Sequence, residues 1–425
     1  MRVALPLLSL LTVVSTLSGC ATGDDDGGTQ SGGTGGTGGT GGSGASAGAS
    51  GNAGTSAGTA GTAGMPYTPP SCSDSADTPG RVAVPAPLVS PGARVTASKG
   101  VLHPEAAADG RYHDVNSVVF GLPTEDEPAW VALELDGSYD RLLLTWADPS
   151  YDPYNVVTYA PRSYVVEVSA DSTDGEDGHF TKVVSVDDNA VRTREHAFDF
   201  SGKKWVRFSV TGAPETSATV ALDELALYDL SASGPDDATD TWFFLGDSIT
   251  QGAFTRNHGD YDFDAIVTAG APDFTPAYLN GGIGGELAKG GLARLDQAIE
   301  LNPDITHFVI GYGTNDSWGD QSATAVGFED TMNELVSRLR GAGKVPILAR
   351  IPYASKSHST LPAFNDIIDR ITAEQGLPCG ADLYGWFLLH PDQLGDDGVH
   401  PNTQGYARMN EQWGNAVLPL YSAAD

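Results

Sequence analysis

Positive charge is scarce in this 425-residue chain: 23 Lys and Arg stand against 55 Asp and Glu, a net charge of −32. A surface that acidic repels phosphate backbones and excludes nucleic acid as a partner. Long apolar runs are absent beyond the N-terminal stretch, which excludes a polytopic membrane protein. With three cysteines, the chain can close no more than one disulfide within itself. None of the nine histidines sits in a cluster spaced for metal ligation. Glycine (53) and proline (26) are plentiful instead. Hydrophobics at 40% and aromatics at 8% still permit sizeable cores, so the glycine excess must be local. The length allows two or three domains.

Residues 1–20 open with Arg2 and an apolar stretch, Val3 to Val14, too short to span a bilayer as a stable helix. Leu17-Ser18-Gly19-Cys20 then resembles a bacterial lipoprotein signal, with an ordinary secretory signal as the alternative. The resemblance implies export and acylation of Cys20, and two or more acyl chains would anchor the protein to a membrane. Ala21 after the cysteine favours the outer membrane in that pattern. Cys72 and Cys379 remain, and pairing or two separate thiols are both open. Residues 21–79 are dominated by Gly, Ser, Thr and Ala, with too little apolar surface to offset chain entropy, so a flexible linker is expected.

Residues 80–230 read as all-β. Short alternating runs such as Trp130 to Leu135, Ser163 to Ser169 and Trp205 to Val210 are separated by Gly, Asp and Pro clusters. Ala108-Asp109-Gly110, Pro128-Ala129-Trp130-Val131, the run ending near Asp171, and Asp223-Glu224-Leu225 together resemble the discoidin-like or galactose-binding-like jelly roll. The resemblance implies sugar binding by loops at one end of the sandwich. Tyr151, Tyr154 and Tyr159 lie in a polar loop, where they either stack on a sugar ring or pack an inter-domain face.

After the connector Ser231 to Asp240 the rhythm changes, and residues 241–422 form the second expected domain. Apolar runs at Trp242–Leu245, Thr306–Ile310 and Val345–Ile351 alternate with amphipathic segments at 286–301, 328–340, 363–373 and 403–416. Trp386 to Leu389 is read as part of a further strand. Repeated β–α units predict a parallel sheet between two layers of helices, with the ligand site at the strands' carboxyl ends.

Four motifs fall at such ends. Gly246-Asp247-Ser248-Ile249 puts a hydroxyl at a strand–helix junction, with its N–H turned toward developing negative charge. Asn280-Gly281-Gly282-Ile283-Gly284-Gly285 lets a backbone N–H approach a substrate oxygen. Gly313-Thr314-Asn315-Asp316 supplies an amide donor. Asp397-Gly398-Val399-His400 lets a carboxylate fold back onto a ring and fix its tautomer. In this order the blocks resemble the SGNH, or GDSL-type, hydrolases; Gly284 departs from the serine common there. The resemblance implies a flavodoxin-like α/β/α sandwich that hydrolyses esters without metal or organic cofactor. It makes Ser248 the nucleophile, His400 the base and Asp397 its orienting acid, with Ser248, Gly282 and Asn315 forming the oxyanion hole.

Export, a surface anchor and an appended sugar-binding type of module point to an acylated polysaccharide as substrate, with acetyl as the group removed. A lipid esterase, lysophospholipase or thioesterase is the alternative within the chemistry. A non-catalytic, carbohydrate-binding surface protein is the alternative outside it.

Overall fold

Period-two alternation between residues 94 and 229 becomes ten antiparallel strands in the computed structural model, which describes residues 80–111, 117–149, 159–215, 219–234, 237–318, 322–356 and 359–421. These are β1 (Arg94–Ala97), β2 (Val118–Gly121), β3 (Ala129–Glu134), β4 (Arg141–Ala147), β5 (Ser163–Ser169), β6 (Phe180–Val186), β7 (Thr193–Asp199), β8 (Trp205–Gly212), β9 (Val220–Leu222) and β10 (Leu225–Asp229). One sheet has the order β1-β3-β8-β5-β6, a second β10-β4-β7, and β2 pairs with β9. Val131, Tyr164, Val166 and Phe208 from the first sheet meet Leu142, Leu144, Trp146 and Leu227 from the second in one core. His196 belongs to that core as well: its Nε2 lies 2.7 Å from the Tyr164 hydroxyl, and burial pushes its pKa down to about 3.

Successive strand residues face opposite sides of a sheet. In β4 every position after the first is buried, so both of its faces are covered. Leu142, Leu144 and Trp146 face the sandwich interior. Leu143, with Ala226 and Tyr228 of β10, joins the core of the following α/β layers instead. Polar contacts reinforce this shared boundary. The Glu195 N–H donates to Asn302 Oδ1 at 3.0 Å, and the Asp304 N–H donates to Glu195 Oε1 at 2.7 Å. Residues 80–88, which lead into the sandwich, are also held by the later part of the chain. The Val82 N–H donates to the Leu420 carbonyl, Val84 is bridged to Thr239, and Val82 and Ala86 are buried in the α/β core. His307 closes the segment by donating from Nε2 to the Gly80 carbonyl at 2.7 Å.

The second half supplies five parallel strands: β11 (Thr241–Gly246), β12 (Ala277–Gly282), β13 (His307–Gly311), β14 (Val345–Arg350) and β15 (Cys379–Asp382). Their order is β12-β11-β13-β14-β15, the doubly wound order of flavodoxin-like sheets. Helices α1 (Ser248–Ala253), α2 (Phe263–Gly270), α3 (Ala288–Leu301), α4 (Ser322–Gly341), α5 (Leu361–Glu374), α6 (Leu383–Leu389) and α7 (Thr403–Val417) flank it. The chain is therefore an α/β/α sandwich preceded by a β-sandwich.

Two segments differ from expectation. Trp386 to Leu389 lies in α6 and not in a strand, because Asp382 caps the helix by accepting the Gly385 N–H at 3.0 Å. A short apolar run has no period long enough to separate the two alternatives. The edge strand β12 lies outside the expected apolar runs, and its last residues, Gly281 and Gly282, keep register with Leu245 and Gly246.

The interior carries carboxyls that burial favours in their neutral form. Desolvation pushes Asp240 and Asp247 up to about 7, Glu195 to about 8 and Glu224 to about 9. In the folded state these groups keep a proton that the unfolded chain has released above about pH 4, so their effect stabilises in acid and fades as pH rises through 7 to 9. His196 and His307, depressed to about 3 and about 4, act oppositely below about pH 6.5, but they are fewer. The expected result is a higher Tm at pH 5.5 than at pH 8.5 by scanning calorimetry. A Tm that climbs over that interval would contradict it.

Candidate active site

β11 delivers Ser248 to the upper edge of the sheet. Asp247 follows the strand and caps α1, its Oδ1 accepting the Ile249 N–H at 2.9 Å, so the first helical residue is Ser248. This junction lies at the topological switch point, where β12 and β13 diverge on either side of β11.

From the other end of the sequence, the loop before α7 brings His400 against the serine. Ser248 Oγ lies 2.8 Å from His400 Nε2, and His400 Nδ1 lies 2.6 Å from Asp397 Oδ2. The other Asp397 oxygen accepts the N–H groups of Val399 (2.9 Å) and His400 (3.0 Å), which fixes the turn. Partial burial acts to raise the Asp397 carboxyl, but the hydrogen bonds from the ring and from these two N–H groups outweigh it and hold the group below its usual range. An ionised carboxylate only accepts, so Nδ1 carries the ring proton and Nε2 is left to accept from the serine.

Asn315 follows β13 on the opposite flank. Its Nδ2 donates one hydrogen to the Glu286 carbonyl at 3.0 Å, which leaves the other free to point outward. Asp316 takes the Ala288 N–H at the start of α3, so both residues clasp the loop after β12. That loop is anchored below by residues the motif reading missed. Arg294 grips Glu286 Oε2 at 2.8 Å, the Gly281 carbonyl at 2.6 Å and the Tyr312 hydroxyl at 3.0 Å. No local signal marks this cluster, because its members meet only in three dimensions.

Gly282 requires a correction. It was expected to donate to an oxyanion, but its N–H is donated to Asn280 Oδ1 at 3.0 Å and the residue is buried. A Cβ there would stand 2.2 Å from the Gln251 nitrogen, so this glycine serves the close approach of β12 to α1. Gly285 offers what Gly282 cannot. It is exposed, has φ +73, and its N–H has no acceptor among the described residues, one position before the Glu286 carbonyl that holds Asn315.

A cleft of about 430 Å³ opens over Ser248 and His400, walled by Gln251, Thr255, Arg256, Asn402, Thr403 and Tyr406. Trp318, 53% exposed, follows Asn315 by three residues and donates its backbone N–H to the Asn315 carbonyl. Of the three tyrosines singled out in the sandwich, Tyr159 is half-buried, and its N–H donates to Asp148 Oδ2 at 3.0 Å. Tyr151 and Tyr154 lie outside the described residues, as do Cys20 and Cys72. Cys379, at the start of β15, forms no disulfide among the described residues. No described helix is long and apolar enough to cross a membrane.

Comparison with known proteins bears on the same half of the chain. Residues 244–408, from β11 into α7, match the GDSL-like Lipase/Acylhydrolase family. The α/β half is a GDSL-type hydrolase domain. The hydrolase domain is similar to thioesterase 1/protease 1/lysophospholipase L1 of Escherichia coli (strain K12), 24% identical over 184 residues, 43% of this chain and 86% of that protein. It is also similar to an arylesterase of Vibrio mimicus, 27% identical over 183 residues, 40% of this chain and 85% of the relative. Among solved structures, a lipase/acylhydrolase from Enterococcus faecalis is 23% identical with a TM-score of 0.36, covering 42% of this chain and 95% of that one.

Proposed function

We propose that this chain is a serine esterase that removes acyl groups, acetyl foremost, from a polysaccharide outside the cell. The observation that carries the esterase reading is the hydrogen-bonded series Ser248–His400–Asp397 at the carboxyl end of β11. In this reading His400 takes the Ser248 proton as Oγ bonds to the ester carbonyl carbon. Asp397 orients the ring and stabilises the imidazolium. The oxyanion is met by the Ser248 N–H, the Gly285 N–H and the free Asn315 amide hydrogen. The carbon–oxygen bond to the sugar breaks, and His400 returns the proton to the departing hydroxyl. Water, deprotonated by the same ring, then attacks the acyl-serine and releases the carboxylic acid.

Three features support a carbohydrate leaving group. The cleft over Ser248 is walled by amides, hydroxyls and Arg256, which suit a polyol better than an alkyl chain. Trp318, exposed three residues after Asn315, presents a flat aromatic face of the kind that stacks on sugar rings. A β-sandwich shares a core with the hydrolase domain. Export and acylation at Cys20, as the N-terminal sequence suggests, would hold the enzyme at the outer membrane facing polymeric substrate. The relatives are named for thioesterase, protease, lysophospholipase and arylesterase activities, which share acyl transfer to water and differ in the leaving group. Acetate release from acetylated xylan or glucomannan, compared with hydrolysis of p-nitrophenyl esters of rising chain length, tests the reading. Acetate should appear, and rates on the synthetic esters should fall from acetate to decanoate. A preference for long chains would replace this reading with the lipid esterase alternative.

A further inference from the structure

A second cleft, of about 180 Å³, lies between the β-sandwich and the hydrolase domain and does not contain the nucleophile. Phe243 of β11 forms part of its lining. Ile283 and Leu301 contribute from the hydrolase side, and Ala190, Val191 and Arg192 from the loop before β7. Thr255 lines this cleft and the one over Ser248 alike, so the two adjoin at that residue. Thr255 lies just past the end of α1, which runs from Ser248 to Ala253, about 8 Å at helical rise. That separation is too long for an acetyl group on the serine and suits the next sugar rings of a polymer.

We propose that this inter-domain cleft is a carbohydrate subsite, holding the sugar chain that flanks the acylated residue. The inference rests on the polysaccharide reading above and names where the β-sandwich would touch the substrate. Its chemistry is that of a neutral ligand. Asp148 and Arg192 place opposite charges on the sandwich wall, and the Arg294 guanidinium on the other wall is already held by Glu286. A phosphate or free carboxylate would find the Arg294 cation already neutralised. The amides of Asn280 and Asn302 are spent on the Gln251 and Ala298 carbonyls, so Ile283, Leu301 and Val191 present an apolar surface suited to the C–H face of a sugar ring. The exposed Gln297 stands where a ring hydroxyl would need a partner.

Ala190 is exposed on the cleft wall, so a larger side chain there would fill the space without entering the core. Ala190→Trp should lower kcat/KM on acetylated xylan at least tenfold more than on p-nitrophenyl acetate, through KM. Gln297→Ala should shift the same ratio in the same direction by a smaller factor. Calorimetric titration of wild type with unacetylated xylohexaose should show binding that Ala190→Trp abolishes. Equal losses on polymer and small ester, or xylohexaose binding unaffected by Ala190→Trp, would overturn the subsite, as would a wild type that deacetylates polymer without binding xylohexaose. Selective loss on p-nitrophenyl decanoate would overturn it by making the cleft an acyl-chain site. Failure of the wild type to deacetylate any polysaccharide, with xylohexaose still bound in the cleft, would reject the substrate assignment and leave the subsite standing.

Discussion

Ser248→Ala is expected to lower kcat on p-nitrophenyl acetate by a factor on the order of 10⁴–10⁶, with KM and Tm close to those of the parent. The substitution removes the atom that bonds to the carbonyl carbon. Among the described residues the only side-chain hydrogen bond it breaks is the one to His400, so the fold has little reason to respond. His400→Ala should cost about as much, because without the ring nothing takes the serine proton. The double variant should lose little more than either alone, since the two residues act as a unit. Asp397→Asn should cost less than either. Wild-type turnover in Ser248→Ala, measured as initial rates with purified enzyme, would end the serine-esterase reading.

The second large effect is expected at Asn315. Its side chain spends one hydrogen on the Glu286 carbonyl and has a second to offer a developing oxyanion. Asn315→Ala should therefore lower kcat by about 10²–10³ while KM changes by much less, the pattern of a contact made chiefly in the transition state. Asn315→Asp keeps the shape but replaces the donor by an acceptor, and should not restore the rate. A variant that loses affinity for substrate and keeps kcat would place Asn315 in ground-state binding and not in the oxyanion hole.

Local chemistry made part of this site legible in the sequence. Asp397 and His400 lie three residues apart, close enough to find each other within one turn, and Ser248 sits where an apolar strand gives way to a capped helix. What spacing could not convey was which glycine, at the end of β12 or just beyond it, faces outward. Gly282 and Gly285 are equivalent as letters. They are told apart by the Asn280 amide that takes one N–H and by the packing of α1 against the same residue. The Glu286–Arg294–Tyr312 cluster stayed hidden for a related reason, because Tyr312 reaches it from the end of β13, two strands away from β12 in the sheet. Strand β4 shows the limit for the fold. Its three consecutive leucines read as one more strand of a sandwich, whereas unbroken burial marks a strand covered on both faces. That second cover comes from residues a hundred positions later, which no window on the sequence contains.

Because residues 80–88 are clasped by the hydrolase layers before the chain departs to build the sandwich, the polypeptide makes a round trip: it starts on one body, leaves, and returns through residues 231–240. The sandwich behaves topologically as an insertion and not as a bead on a string. A cut in the returning connector would sever one of two strands of attachment. Trimming the chain to begin at residue 241 would strip Val82 and Ala86 from a finished interior and leave His307 facing an empty slot where the Gly80 carbonyl had been.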